Sequence, residues 1–403
     1  MIFAGIVLRL VFTNDMEWKD DEKIMFDLAH QSAYKGEFPA IGMMSGGGVV
    51  NPGLSVAVFA LIASFTNSPI AMVRVVQIMN IVAVLLLLLF IIRSVPLMEK
   101  KTWLYATALA SVSPMAVLYS RKIWAQDTLP LFVVLLIICI AYRSKPIAAF
   151  LYGALAMIIG QIHMSGFFLA AGLMSFSLMH DLYHRRKVQW WYWFGGVCTG
   201  LIPMIPWFHY ISTHKKGSYL TLDHVLQGRF YIYTFLDAHG LNLVATFKNT
   251  IDRFYSYPFL FGNSLYLVGV LYFLLASVSV YTFWLILRYG LDRMQTIRRS
   301  GLIYWIFNSG LARYYLMGIG IGLGILMTFS GTEIFPHYLI CMFPFSYVWF
   351  CSLYKKQFKL LKLIIITQLC LTVSFLTYVH QHNGIAGGDY GITYRQQQIN
   401  NSH

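Results

Sequence analysis

Three consecutive carboxylates, Asp20, Asp21 and Glu22, follow the first apolar segment of a chain that has few charged residues. Only 11% of the 403 residues are Asp, Glu, Lys or Arg, and a carboxylate beside lipid is costly unless it is solvated or used. A carboxylate within hydrogen-bond reach of a hydroxyl can act as a general base. We therefore predict that Asp21 is a general base, that Glu22 orients it or its substrate, and that Asp20 is solvated or caps a helix. The alternative is a solvated loop.

A second polar run, from Tyr119 to Asp127, contains Arg121 and Lys122 beside Trp124. Guanidinium and ammonium groups bind phosphate oxygens through charge-assisted hydrogen bonds. We predict that Arg121 and Lys122, with Asp127, contribute to a substrate phosphate site. The alternative is an interfacial anchor, for which Trp124 is typical.

Two histidines complete the candidate site. His163 lies between two apolar segments, and His337 precedes Tyr338 after another. Each histidine alone is more often a packing residue than a ligand-binding one. Together with Asp21 and Arg121, however, they map to one face of the chain, so we assign His163, His337 and Tyr338 to substrate binding.

The elements that must position these residues are membrane helices. With 58% hydrophobic residues, the chain contains repeated apolar runs, and a helix needs about 20 residues to cross a hydrocarbon core. We predict an all-α polytopic bundle of about eleven spans, forming a single domain over residues 1–403. The predicted spans are 2–13, 71–92, 103–119, 125–142, 146–162, 164–182, 189–211, 264–287, 314–330, 339–353 and 363–380. The five cysteines fall in or beside these spans and are expected to be buried apolar residues.

The distribution of charge gives an orientation. More than half of the 30 Lys and Arg residues fall in connections on one side, which the positive-inside rule makes cytoplasmic. Most of the 16 Asp and Glu residues lie in or near the opposite face. The net charge of +14 therefore indicates membrane topology rather than nucleic-acid binding. We expect an integral protein of a bacterial cytoplasmic membrane whose site faces outward.

The first outer loop, residues 14–70, is predicted to carry two interfacial helices. The first runs from Asp20 to Gly36 with Ile24, Leu28 and Ala29 as its apolar stripe. A turn with Gly46, Gly47 and Gly48 follows, and the second helix is a short apolar stretch of about 13 residues ending at Phe65. A second large outer loop, 212–261, contains Arg229, Asp237, His239, Asp252 and Arg253 and suits a carbohydrate-facing surface.

The first span is short and contains Arg9. Either the true start lies upstream, or the helix is tilted and the arginine reaches the interface. We expect no cleavable signal peptide.

The pattern of Trp18, Asp21 and Glu22, followed by an apolar helix and Gly36-Glu37-Phe38, resembles the first outer loop of GT-C membrane glycosyltransferases. It is most similar to the lipid A aminoarabinose transferases and the protein O-mannosyltransferases. Further matches are Asn51-Pro52 before a short apolar helix, the run from Pro114 to Asp127, and the run from Pro336 to Pro344.

This resemblance implies an inverting glycosyltransferase that passes a sugar from a polyprenyl-phosphate donor to an extracytoplasmic acceptor such as a lipid, glycan or protein. Two departures stand out. The aminoarabinose transferases carry a second acid where this chain has Asn51. The resemblance therefore does not carry over a two-carboxylate or metal-linked arrangement, and the use of a divalent cation is left undecided. The spacing from Arg121 to Asp127 is one residue longer than in the mannosyltransferases, and Lys122 occupies the matching position.

Two other classes of protein remain as alternatives. A transporter or flippase for a lipid-linked or anionic substrate would use the outer acids in a substrate or proton path, and it predicts related halves and ionisable residues within spans. A structural subunit would make the acidic triplet dispensable. We find no convincing internal repeat in the sequence.

Overall fold

The computed structural model describes residues 1–45, 49–214, 222–308 and 310–402. The chain is predominantly helical, as predicted. Its first half consists of α1 (Ile2–Leu10), α2 (Asp20–Lys35), α3 (Leu54–Ala63), α4 (Pro69–Ser94), α5 (Leu97–Val112), α6 (Pro114–Tyr119), α7 (Leu129–Ala141), α8 (Pro146–Ile162) and α9 (Ser165–Tyr183), with strands β1 (Ile41–Met44) and β2 (Val50–Pro52) between α2 and α3.

The second half contains longer and more broken helices. They are α10 (Trp190–Leu201), α11 (Ile205–Thr213), α12 (Leu222–Leu226), α13 (Arg229–His239), α14 (Ile251–Tyr255), α15 (Leu267–Ser300), α16 (Leu302–Phe307), α17 (Leu311–Ile319), α18 (Phe345–Leu353), α19 (Phe358–His382) and α20 (Tyr394–Asn401). Short antiparallel pairs join β3 (Phe259–Leu260) to β4 (Asn263–Ser264) and β5 (Gly384–Ile385) to β6 (Gly391–Ile392).

Each of the eleven predicted apolar segments is at least partly helical, but the count of eleven spans is not confirmed. Among the described residues, three helices are long and apolar enough to cross a membrane: α4, α15 and α19. Several of the other segments are interrupted, as where Pro114 separates α5 from α6. Proline lacks an N–H and disfavours helix in the residue before it, so an apolar run need not be one helix.

The first interfacial helix, α2, begins and ends as predicted. Acidic residues in its first turn suit the positive end of the helix dipole. Gly36 closes it in the left-handed region, with a φ of 64°. Its buried face carries Met25 and Ala29 and packs towards α3, whereas Ile24, which we assigned to the apolar stripe, is exposed. The predicted glycine turn at 46–48 lies outside the described residues.

Arg9 does not reach the membrane interface. Its side chain is buried, and its guanidinium donates to the carbonyl oxygens of Gly5 (3.0 Å), Ser111 (2.6 Å) and Ala110 (3.3 Å). The guanidinium thus joins α1 to the end of α5, where that helix leaves carbonyl groups without helical partners. This contact takes the place of snorkelling, which was one of the two alternatives that the sequence left open.

The basic connections predicted to share one face contact one another. Glu99, at the start of α5, accepts a hydrogen bond from the backbone N–H of Ala312 at 2.8 Å. His184, beyond α9, bonds to the carbonyl of Phe307 at 3.0 Å. Arg143, beyond α7, forms a two-point ion pair with Asp181 in α9. Four segments distant in sequence therefore meet at one end of the bundle.

The segment after α19 folds back over the first outer loop. Residue Thr393 forms a β-bridge with Glu17, and the N–H of Tyr394 donates to the carbonyl of Met16 at 3.0 Å. The Lys19 ammonium donates to the carbonyl of Asp389 at 2.6 Å. Through these contacts, the C-terminal segment fixes the residues that precede α2.

Two residues of the predicted second outer loop face inward. His239 is buried and bonds through Nε2 to the hydroxyl of Thr282 at 2.7 Å. Asp237 accepts a hydrogen bond from Ser346 at 3.1 Å. Because both side chains are engaged with other helices, neither belongs to the carbohydrate-facing surface that we expected. Five cysteines were expected to be buried, but Cys198 and Cys370 are exposed.

Candidate active site

An open cleft of about 320 Å³ lies where α2, the β1–β2 pair, the α8–α9 turn and the segment after α17 converge. A cleft of this size falls at the lower end of small-molecule sites. Its walls include four of the residues predicted from the sequence: Asp21, His163, His337 and Tyr338. The structure therefore brings together residues up to 317 positions apart in the chain.

Asp21 projects into this cleft from the first turn of α2, next to the exposed Asp20. Partial burial raises the pKa of the Asp21 carboxyl above its ordinary value, and this effect outweighs the opposing charges of Lys19 and Lys122. A carboxylate with a raised pKa is a stronger base than an ordinary surface aspartate. The general-base role of Asp21 stays a prediction.

Glu22 turns the other way and does not line the cleft. Its side chain is buried, and its Oε2 accepts a hydrogen bond from the backbone N–H of Lys19 at 3.2 Å. Burial raises the pKa of Glu22 to about 7, and the nearby carboxylate of Glu17 adds to the effect. Its Oε1 has no hydrogen-bond partner among the described residues. Glu22 is therefore placed to hold the start of α2 rather than to touch a substrate.

Lys122 lies behind the cleft wall. Its side chain is 4% exposed, and its ammonium is paired with the buried carboxylate of Glu17. The same ammonium sits 4.3 Å from the centre of the Trp124 ring, which does face the cleft. Burial lowers the pKa of Lys122, but the Glu17 and Glu22 carboxylates more than compensate, so the group stays charged. Its field can reach the cleft although its ammonium does not line it.

Asp127 is also buried and lies apart from the main cleft. It lines a smaller internal cavity of about 40 Å³ that also contains Arg9 and Asp237. Neither carboxylate oxygen of Asp127 has a hydrogen-bond partner among the described residues. The structure thus separates Asp127 from the four residues that line the cleft.

The two histidines and Tyr338 form one aromatic cluster on the far wall. The ring of His163 lies 6.1 Å from that of His337 and 4.7 Å from that of Tyr338. His163 Nδ1 lies 2.7 Å from the Ser165 hydroxyl, which itself donates to the carbonyl of Tyr338 at 3.3 Å. The backbone N–H of Ser165 also donates to His163 Nδ1, at 3.4 Å.

Both histidines are neutral at physiological pH. Burial lowers the pKa of His163 to about 4. Burial also lowers the pKa of His337 well below its ordinary value, and His163 and Lys122 contribute. Neither ring therefore supplies a positive charge, and each can donate or accept one hydrogen bond per nitrogen.

Arg121 requires a revision of the sequence prediction, because its guanidinium does not line the cleft. It donates to four backbone carbonyls at the end of α1, those of Leu8 (3.0 Å), Arg9 (3.2 Å), Val11 (2.5 Å) and Phe12 (2.7 Å). Leu8 and Arg9 lie in the last turn of α1, where a helix leaves its carbonyls without helical partners. Phe12 has a φ of 52°, so the chain reverses where Arg121 holds it. Arg121 therefore shapes the start of the acidic loop.

Two cleft residues had a weaker sequence signal. Trp124, which we noted only as an interface residue, faces the cleft with a buried indole N–H that has no partner among the described residues. Asn51 lines the same cleft, and its Oδ1 likewise has no partner there, while its Nδ2 donates to the carbonyl of Met43 at 2.9 Å. The departure from the aminoarabinose-transferase pattern thus lines the same cleft as Asp21.

A metal centre is not evident in the described part of the chain. Within residues 1–45, 49–214, 222–308 and 310–402, no group of three or more His, Cys, Asp or Glu side chains is arranged to hold a metal ion.

The fold is similar to that of ArnT. Two solved structures of this aminoarabinose transferase from Cupriavidus metallidurans match the chain, each at 13% identity. The one bound to undecaprenyl phosphate has a TM-score of 0.48 and is matched over 88% of this chain and 59% of its own length. The apo structure has a TM-score of 0.42, with 91% of this chain and 76% of that one covered.

The chain thus spans about three fifths of the length of the ArnT structure bound to undecaprenyl phosphate. No family model matches the sequence, and no curated protein matches it.

Proposed function

We propose that the chain is an integral membrane glycosyltransferase that moves a sugar from a polyprenyl-phosphate donor to an extracytoplasmic acceptor with inversion. The observation that carries the proposal is the cleft in which Asp21, a carboxyl of raised pKa, faces a wall of neutral hydrogen-bond donors. The sequence resemblance to GT-C enzymes supports the same reaction.

In the proposed reaction, Asp21 removes the proton from an acceptor hydroxyl as that oxygen attacks the anomeric carbon. The bond between the anomeric carbon and the phosphate oxygen breaks, and the electron pair leaves with the phosphate. The acceptor oxygen attacks from the face opposite the departing phosphate, so the configuration at the anomeric carbon inverts. The chain needs only to hold the acceptor near Asp21 and the phosphate beyond the sugar.

The departing phosphate gains negative charge, which the opposite wall can stabilise. The indole N–H of Trp124 and the neutral ring of His337 supply donors, and the two rings lie 5.3 Å apart. Behind Trp124, the buried Lys122 ammonium provides positive charge without direct contact. A preorganised donor that is buried, such as the Trp124 N–H, is worth more than the same group in solution.

The test compares two neighbouring aspartates. Asp21→Asn keeps the shape but removes the base and should lower turnover by about 10²–10⁴. Asp20→Asn is the matched control, because Asp20 is the neighbouring carboxylate and does not line the cleft. Purified protein is incubated with synthetic short-chain polyprenyl-phosphate hexoses and pentoses and an envelope extract as acceptor source. Release of polyprenyl phosphate is followed by mass spectrometry.

Loss of activity in Glu22→Gln but not in Asp21→Asn would move the base to Glu22. A folded parent protein that releases no polyprenyl phosphate from any donor would overturn the proposal.

One observation bears on the transporter alternative. Arg9, Asp127 and Asp237 line an internal cavity among the helices, as a path for ions would require. Its volume of about 40 Å³ suits water or a small ion but not a lipid-linked sugar. Uptake of a small cation into proteoliposomes, abolished by Asp127→Asn, would favour this alternative.

A further inference from the structure

A second cleft, of about 280 Å³, lies on the other side of the acidic loop, between α4, α19 and α20. Its polar wall contains Arg74 from α4, His380 from α19 and Arg395 from α20. Leu10 and Phe12, at the end of α1, add apolar surface. None of these residues lines the cleft that holds Asp21.

The charge in this second cleft is positive. Asp15 is buried there and is engaged by two of the basic groups, with His380 Nδ1 at 2.6 Å and Arg395 Nε at 2.9 Å from its oxygens. Asp15 can neutralise only one cation. Arg74 is exposed and has no ion-pair or hydrogen-bond partner among the described residues, so its charge remains uncompensated.

Arg74 also lies at a defined depth. Arg74 and Arg93 are the charged residues of α4. The apolar stretch of this helix has a mean hydropathy of 3.0. The 19 helical steps from Arg74 to Arg93 span about 28 Å, close to the thickness of a hydrocarbon core. Each arginine therefore lies near one edge of the bilayer, at the level of lipid phosphates. Arg74 is set in a concave site with the basic groups of His380 and Arg395.

We propose that this second cleft binds the phosphate group of an anionic membrane lipid, with Arg74 as the principal contact. A guanidinium presents a planar fork of donors to phosphate oxygens, and the lipid chains would lie along the apolar end of α1 and the flank of α4. Arg395 belongs to the C-terminal segment that bridges to Glu17, so a bound lipid would also hold this segment in place. This site does not depend on the proposed transferase activity.

The experiment measures binding of dioleoyl phosphatidylglycerol to the detergent-purified full chain by native mass spectrometry across lipid concentrations. Arg74→Gln should weaken this binding about tenfold, since a charge-assisted hydrogen-bonding partner is lost. Arg93→Gln is the matched control, with the same substitution at the other end of the same helix. Thermal unfolding of both variants must match the parent, which shows that any difference is one of binding.

Dioleoyl phosphatidylcholine and inorganic phosphate form the other two arms. Weak binding of phosphatidylcholine and no competition by inorganic phosphate are expected. Competition by inorganic phosphate that disappears in Arg74→Gln would identify a free anion as the ligand and overturn the lipid assignment. Equal losses in Arg74→Gln and Arg93→Gln would show that both arginines are interfacial anchors only.

Discussion

Replacement of Arg121 by lysine distinguishes a helix-capping residue from a phosphate ligand. The guanidinium makes four hydrogen bonds to the carbonyls that end α1, at 2.5 to 3.2 Å. A lysine keeps the charge but has one nitrogen where two make these bonds, so we expect it to keep about half of them. A hydrogen bond to a charged group contributes roughly 1.5–3 kcal/mol, so Arg121→Lys should lower the free energy of unfolding by ~3 kcal/mol.

Thermal unfolding of the purified protein in one detergent measures this change. Arg93→Lys is the control, because Arg93 is an exposed arginine in the last turn of α4. At a temperature where Arg121→Lys is folded, its KM for a polyprenyl-phosphate donor should equal that of the parent. A raised donor KM with unchanged thermal stability would refute the capping role and return Arg121 to the phosphate site.

Two further predictions concern ionisation and orientation. The pKa of Glu22 in the folded chain, about 7, lies above its ordinary value of 4.5, so the folded state keeps a proton that the unfolded state loses as pH rises between these values. The parent should therefore lose up to about 3 kcal/mol of stability from pH 4.5 to 7. Glu22→Gln cannot ionise and should lack this loss. Unfolding measured at pH 5 and pH 8 tests both expectations. For orientation, cysteines introduced singly at the exposed positions 20 and 298 of a cysteine-free variant should be labelled by an impermeant reagent on intact cells only at position 20; the reverse pattern would invert the topology.

Local signals made α2 predictable from the sequence. Its acidic first turn and Gly36 both act within a few residues of the helix ends, and the structure places the ends there. The gathering of His163 and His337 beside Asp21 was also predictable as a shared face, since alternate connections of a helical bundle return to the same side. Their ring contacts were not, because these depend on packing between distant segments.

Other features depend on partners that no local pattern identifies. Arg121 and Lys122 are adjacent and both basic, yet one caps α1 and the other pairs with Glu17. Residue type indicates that a cation will seek oxygen atoms, but not whether they belong to a backbone or to a substrate. The span count was not confirmed for a related reason, because short apolar helices and membrane-spanning helices have the same composition. The contact of Thr393 with Glu17 joins segments more than 370 residues apart and had no sequence signal that we recognised.

The pairing of Glu17 with Lys122 explains how a carboxyl near two cations keeps a raised pKa. The positive end of α2 and the ammonium groups of Lys19 and Lys122 all favour ionised Asp21, which would make it a weak base. Glu17 lies 2.7 Å from the Lys19 ammonium and also engages Lys122, so both cations are held by another acid. Partial burial then dominates and raises the pKa of Asp21. The C-terminal segment forms a bridge to Glu17. Through Glu17 it therefore affects the basicity of Asp21 and does not need to contact Asp21 itself.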